Sequence, residues 1–129
     1  MTDAELIERA TAARALAYAP YSEFAVGAAV LAADGRVFTG CNIENASYGL
    51  TICAERVALF KAVSEGARAF HRLAVVADAE ALVFPCGACR QVLWEFAPDL
   101  IVISANLKGQ MRVRPLRDLL PEPFDARML

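Results

Sequence analysis

The segment from Phe24 to Ala33 is apolar at every position except Gly27, and it runs directly into Asp34-Gly35. A strand with one solvated face alternates polar and apolar residues, so an unbroken apolar run of this length predicts a strand covered on both sides. Asp-Gly is a strong hairpin signal, which places an antiparallel second strand over Arg36 to Glu44. Such a pair needs a layer of structure on each face, and the rest of the chain has the periodicity to supply it.

Thr2 and Glu5 have capping-box spacing, and Leu6, Ile7, Ala10, Ala13 and Ala17 recur at helical intervals, predicting a first helix that reaches Pro20. A polar stretch from Asn45 to Thr51 precedes a helical run from Ile52 to Glu65 that Gly66 closes. Leu73 to Ala77 reads as a short strand, and Cys86 to Ala97 as a second core helix with Cys89, Val92, Leu93 and Phe96 on one side. Ile101 to Ser104 and Met111 to Arg114 read as strands joined by a turn at Lys108-Gly109, followed by a short helix over Leu116 to Leu120. Pro121 and Pro123 then predict an exposed tail. The alternation implies an α/β sandwich, its first two strands antiparallel and the later ones joined by crossover helices, in one domain over 1–129.

Composition narrows the partners. Apolar residues make up 57% of the chain, enough to suggest elements buried on several faces or a large subunit interface. A net charge of -2 offers no basic stripe to displace counterions from a phosphate backbone, which argues against nucleic acid. Charged residues and glycines interrupt the apolar runs before they reach the length of a membrane span, and the start, Thr2-Asp3-Ala4-Glu5, is acidic. The chain therefore reads as cytoplasmic, with its four cysteines reduced and available for metal or redox chemistry.

Cys86 and Cys89 fall on one face of the first turn of a predicted helix, beside N–H groups that favour thiolates. Either a metal or a redox pair fits that spacing. Cys53 also opens a predicted helix, and Glu55 follows inside its first turn. Three soft ligands leave one tetrahedral position open, the mark of a catalytic rather than a structural zinc, and a nearby carboxylate can then carry protons. Cys41 reads either as a fourth thiolate closing the site or as a small core residue of its strand. His71, the only histidine, lies at a loop-to-strand junction and reads more readily as a bystander than as a ligand.

Cys53-Ala54-Glu55-Arg56 and Pro85-Cys86-Gly87-Ala88-Cys89-Arg90-Gln91 resemble the two zinc motifs of the cytidine deaminase family. The likeness extends over Pro20 to Ala29, over Gly40 to Gly49 and into the tail, Leu119 to Phe124. It implies a three-layer α/β/α sandwich around a five-stranded mixed sheet, and hydrolytic deamination of cytidine and 2'-deoxycytidine in pyrimidine salvage. By the same resemblance Cys53, Cys86 and Cys89 bind one Zn2+ per chain, and Glu55 deprotonates water and then protonates the ring nitrogen and the leaving amino group. Asn42 and Glu44 hold the ribose, through its 3'-hydroxyl, and Phe24 packs against base or sugar. Tyr48 and Phe124 reach a neighbouring pocket, because the small family members are homotetramers with shared active sites.

The residues alone leave some of these roles open. Phe24 in a buried strand also fits a core position, and Asn42 and Glu44, two apart on a predicted strand, also fit an exposed sheet face. Arg56 fits either a surface charge or a guanidinium offsetting three thiolates on a divalent ion, and the second reading is favoured. Phe84 departs from the small polar residue that the family pattern places before Pro85-Cys86. A blasticidin S deaminase shares the zinc motifs, but Asn42-Ile43-Glu44-Asn45 favours a nucleoside sugar. Editing deaminases commonly use His as the first ligand, and a purely structural zinc domain has no use for Glu55.

Overall fold

The computed structural model describes all 129 residues. Its elements are α1 (Asp3–Arg14), β1 (Val26–Ala32), β2 (Val37–Cys41), α2 (Ala54–Ser64), β3 (Phe70–Ala77), α3 (Gly87–Phe96), β4 (Ile101–Ala105), β5 (Met111–Pro115) and α4 (Leu116–Leu119). The five strands form one mixed sheet in the order β2-β1-β3-β4-β5. Only β3 and β4 pair in parallel; the other neighbours are antiparallel. α2 crosses from β2 over β1 to β3, α3 crosses from β3 to β4, and β4 returns to β5 through a turn at Gly109, which has φ 81°.

β1 is buried at all seven positions, as its apolar run predicts. Its side chains divide by parity: Val26, Ala28, Val30 and Ala32 join the larger core under α2 and α3, while Ala29 and Leu31 meet Leu6 and Ala10 of α1. The sheet is thus the middle of three layers.

Two glycines bring the helices close. A Cβ on Gly27 would fall 2.0 Å from the Ala10 carbonyl oxygen, so α1 rests on bare backbone there. A Cβ on Gly40 would fall 2.6 Å from both the Ala54 carbonyl oxygen and the Ala58 nitrogen, so β2 supports the first turns of α2 in the same way.

Several boundaries differ from the sequence pattern. The first helix has its capping box at Thr2 and Glu5 but ends at Arg14, not near Pro20. Beyond it the N–H groups of Ala15, Leu16 and Ala17 turn to carbonyls three residues back, and Tyr18 is drawn into backbone pairing with Asn42 and Glu44. That pairing competes with the helix and wins. The second strand stops at Cys41, so Asn42 and Glu44 lie on an irregular segment in which Ile43 bridges to Tyr18 and Ile52. β3 begins three residues early, at Phe70. The tail is not free: Pro123 is buried, and α3 holds the segment through hydrogen bonds from Gln91 and Trp94. No helix is long and apolar enough to cross a membrane.

Candidate metal centre and nucleoside pocket

Cys53 is the N-cap of α2 and Cys86 the N-cap of α3, and neither makes a side-chain cap hydrogen bond. Both sulfurs are thereby left for another task. With Cys89, one turn into α3, their Sγ atoms all lie within 4.8 Å of one another, and Cys53 Sγ is 3.8 Å from Cys86 Sγ. Zinc bound tetrahedrally by sulfur at about 2.3 Å requires sulfurs roughly 3.8 Å apart, so the donor set suits that ion in both chemistry and spacing. All four cysteines are free thiols, and Cys41 stands outside the cluster, which leaves the set at three.

The electrostatics of the cluster favour charge on Cys53. Hydrogen bonding with Cys89, helped by Arg56 and Cys86, brings the Cys53 thiol down to about 5. Cys89, which yields to Cys53 and is buried, is pushed up. Arg56 donates from a terminal nitrogen to Cys53 Sγ at 3.4 Å and is held more firmly protonated by that contact. Its buried Nε finds no partner. The guanidinium thus faces the thiolates and is not a solvated surface charge.

Glu55 is only 4% exposed, unusual for a carboxylate that no lysine or arginine pairs with in a salt bridge. Burial pushes it up to about 7, with the neighbouring Cys53 charge adding to the rise. A group near neutrality both accepts and donates a proton at ordinary pH, the property that general acid and base catalysis requires.

Cys53, Cys86 and Glu55 line a cavity of about 260 Å³, with Cys89 buried behind them. Phe24, Val26, Ile52, Val83 and Phe84 give it apolar walls, and Ser22, Asn42, Glu44 and Thr51 bring polar groups to it. Phe24 lies outside the regular strand, 38% exposed, and so is not a core residue. Asn42, 9% exposed, accepts from the Val26 N–H at 2.9 Å and donates to the Phe24 carbonyl at 2.8 Å, which leaves one amide N–H uncommitted. Glu44 accepts from the backbone of Tyr21 and Ser22 at 3.0 and 3.1 Å and from the Ser22 hydroxyl, and the hydroxyl first of all holds its carboxyl below the usual range. The exposed-face reading of this pair is set aside: both residues line the cavity, and neither belongs to a strand.

Residues 1–105 match the family described as the cytidine and deoxycytidylate deaminase zinc-binding region. The chain is 54% identical over 126 residues to a cytidine deaminase of Sporosarcina psychrophila, with 97% of this chain and 93% of that one covered. This chain belongs to the cytidine and deoxycytidylate deaminase family. Among solved structures, cytidine deaminase from Burkholderia pseudomallei superposes with a TM-score of 0.94 at 54% identity, over 96% of this chain and all of the other. Cytidine deaminase from Mycobacterium tuberculosis gives 0.84 at 46% identity, over 97% and 99%. The zinc of this family fits the three-thiol cluster, and the sheet with its helix layers is the family's fold.

Two aromatic residues implied by the family resemblance stand apart from the cavity. Tyr48 is 76% exposed, in edge-to-face contact with Tyr21, and lines an adjoining cleft that shares Ser22, Glu44 and Thr51 with the main one. Phe124, 57% exposed, lines no cavity of its own chain. His71 is exposed on β3 and takes no part in the cluster. Phe84 packs on the larger core while lining the pocket, so a large side chain is accommodated before the second zinc motif. Ser22 falls within the Pro20 to Ala29 likeness, but its role as a partner of Glu44 is not legible there, because the contact spans 22 residues.

Proposed function

We propose that this chain hydrolyses the exocyclic amino group of cytidine and 2'-deoxycytidine, giving uridine or 2'-deoxyuridine and ammonia. In this reading it serves pyrimidine salvage in the cytoplasm as a homotetramer with shared active sites. The observation that carries the chemistry is the buried Glu55 beside three converging thiols, of which Cys53 and Cys86 line a mostly apolar pocket.

Cys53, Cys86 and Cys89 hold the zinc, which when bound supplies the Lewis acidity that makes a water readily deprotonated near neutral pH. Glu55 takes a proton from the attacking water and delivers it to N3 of the ring as the oxygen adds to C4. Its carboxylate then accepts the second water proton and passes it to the amino group, the C4–N4 bond breaks, and ammonia leaves with Glu55 ionised again. Arg56 offsets the negative charge of the thiolates through Cys53.

Asn42 and Glu44 hold the sugar. Asn42 has one uncommitted donor and Glu44 has acceptor capacity beyond its three hydrogen bonds. A hydroxyl, donor and acceptor at once, satisfies both, and assigning it to the 3'-position leaves 2'-deoxycytidine equally acceptable. Phe24 packs against base or sugar. Tyr48 and Phe124, exposed on their own chain, serve the pocket of a neighbouring subunit.

Incubation with cytidine, 2'-deoxycytidine, cytosine, cytidine monophosphate and blasticidin S, followed by loss of the cytosine chromophore, tests the reading. Turnover of the two nucleosides well above the other three is expected. Preference for blasticidin S, or no turnover by zinc-loaded protein, would overturn it.

A further inference from the structure

The C-terminal segment is fastened to α3 on both sides of Phe124. Gln91 and Trp94, three apart and therefore neighbours on one helix face, each donate to it. Gln91 Nε2 reaches the Phe124 carbonyl oxygen at 2.6 Å, and the Trp94 indole N–H reaches Asp125 Oδ2 at 3.0 Å. The other carboxylate oxygen of Asp125 accepts from the Arg127 backbone at 3.0 Å and from its guanidinium at 2.8 Å, closing the 3-10 turn Ala126–Met128. Just before Phe124, Pro123 is buried. The segment is thus held at the buried Pro123, the Phe124 carbonyl and the Asp125 carboxylate, while the Phe124 ring, 57% exposed, projects outward.

We propose that Trp94 and Asp125 form a latch that positions Phe124 for the cavity of a second copy of this chain. Trp94 and Asp125 are positioning residues: they lie away from their own pocket and act through the ring between Pro123 and Asp125. Fixing the backbone before association removes the entropy that a loose nine-residue tail would lose on ordering, so the latch improves binding without adding a contact to the substrate. The inference rests on the proposed shared site.

A double-mutant cycle on the zinc-loaded protein tests it. Trp94→Phe deletes the indole N–H and keeps an aromatic ring in place. It is expected to raise KM for cytidine roughly three- to tenfold, the range set by one hydrogen bond to a charged acceptor that partly re-forms with water, with kcat and zinc content unchanged. In the Phe124→Ala background the same substitution is expected to change KM no further, because the residue acts only through that ring. Asp125→Asn keeps an acceptor for the indole and is expected to retain most of the native KM. An equal effect of Trp94→Phe in both backgrounds, or none in the native one while Phe124→Ala raises KM, would overturn the latch alone. An unaltered KM in Phe124→Ala would overturn the shared site and the latch with it. Trp94 is the only tryptophan, so its emission reports on the contact without any turnover. Asp125→Ala is expected to shift it to the red, and an unmoved maximum would show that the latch does not form in solution.

Discussion

Gly40→Ala places a methyl group where β2 meets the first turns of α2. Its Cβ would fall 2.6 Å from the Ala54 carbonyl oxygen and 2.6 Å from the Ala58 nitrogen. Both are backbone atoms, so no rotamer change relieves the clash. Ordinary contact begins near 3.4 Å, and the difference, about 0.8 Å, must come from moving strand and helix apart in a core packed nearly to crystal density. β2 is paired to β1 along five residues, Gly40 opposite Ala28, so α2 yields first. Ala54 lies between Cys53 and Glu55, and a displacement there moves a sulfur and the carboxylate together. Misplacement by about 1 Å can cost on the order of a hundredfold in rate, and overpacking costs about 1–3 kcal/mol of stability. The variant is expected to lose roughly ten- to a hundredfold in kcat for cytidine at saturating zinc, with a modest fall in melting temperature. Gly35→Ala is the control, because Gly35 has φ 94°, no atom lies within 4 Å of its added Cβ, and the turn is remote from the site. It is expected to destabilise by about 1–2 kcal/mol through backbone strain while leaving kcat intact. Equal kcat in Gly40→Ala and Gly35→Ala would refute the idea that the β2 contact sets the position of the α2 turn.

Replacing Cys53, Cys86 or Cys89 by Ala is expected to lower both zinc content and melting temperature, because binding to the folded state alone adds to stability; metal analysis showing full zinc in the triple variant would contradict this. Arg56→Ala is expected to weaken zinc roughly ten- to a hundredfold in a chelator competition, as loss of a group that supports a ligand commonly does, and unchanged affinity would show that its contact with Cys53 does not support the metal. Glu44 has its pKa lowered from 4.5 by the Ser22 hydroxyl, so its contribution to stability is complete above 4.5 and is lost as pH falls through the lower folded value. The stability gap between the native protein and Glu44→Gln should close in acid, and a gap unchanged to pH 2 would contradict the assignment.

What the sequence reveals is local chemistry. Cys86 and Cys89 share a helical turn, Cys53 and Glu55 share another, and helix-start signals place both turns before any contact is known, so each turn is legible from spacing, while the meeting of the two in one three-thiol set is what the family resemblance implies. β1 is legible for the same reason, since an apolar run states its own burial. Long-range competition is not legible. The first helix loses Ala15 to Ala17 because Tyr18 pairs with a segment 24 to 26 residues away, which no 3.6-residue period records. The same pairing cuts the second strand at Cys41 and turns the Asn42 amide onto Val26 and Phe24. The tail reads as free from Pro121 and Pro123, yet Gln91 and Trp94 fasten it across 33 and 31 residues. Whether Cys41 joins the cluster likewise depends on where the sheet directs β2.

The central claim is that Glu55 carries the protons of the reaction and is not merely a favourable charge at a helix start. Glu55→Gln, loaded with zinc, measures this directly when metal content, cytidine affinity and single-turnover rate are taken on one preparation. Zinc content and cytidine affinity should match the native protein while the rate falls on the order of a hundred- to ten-thousandfold, the usual contribution of a positioned proton carrier. A near-native rate would contradict the claim and leave Glu55 as a dipole partner of α2.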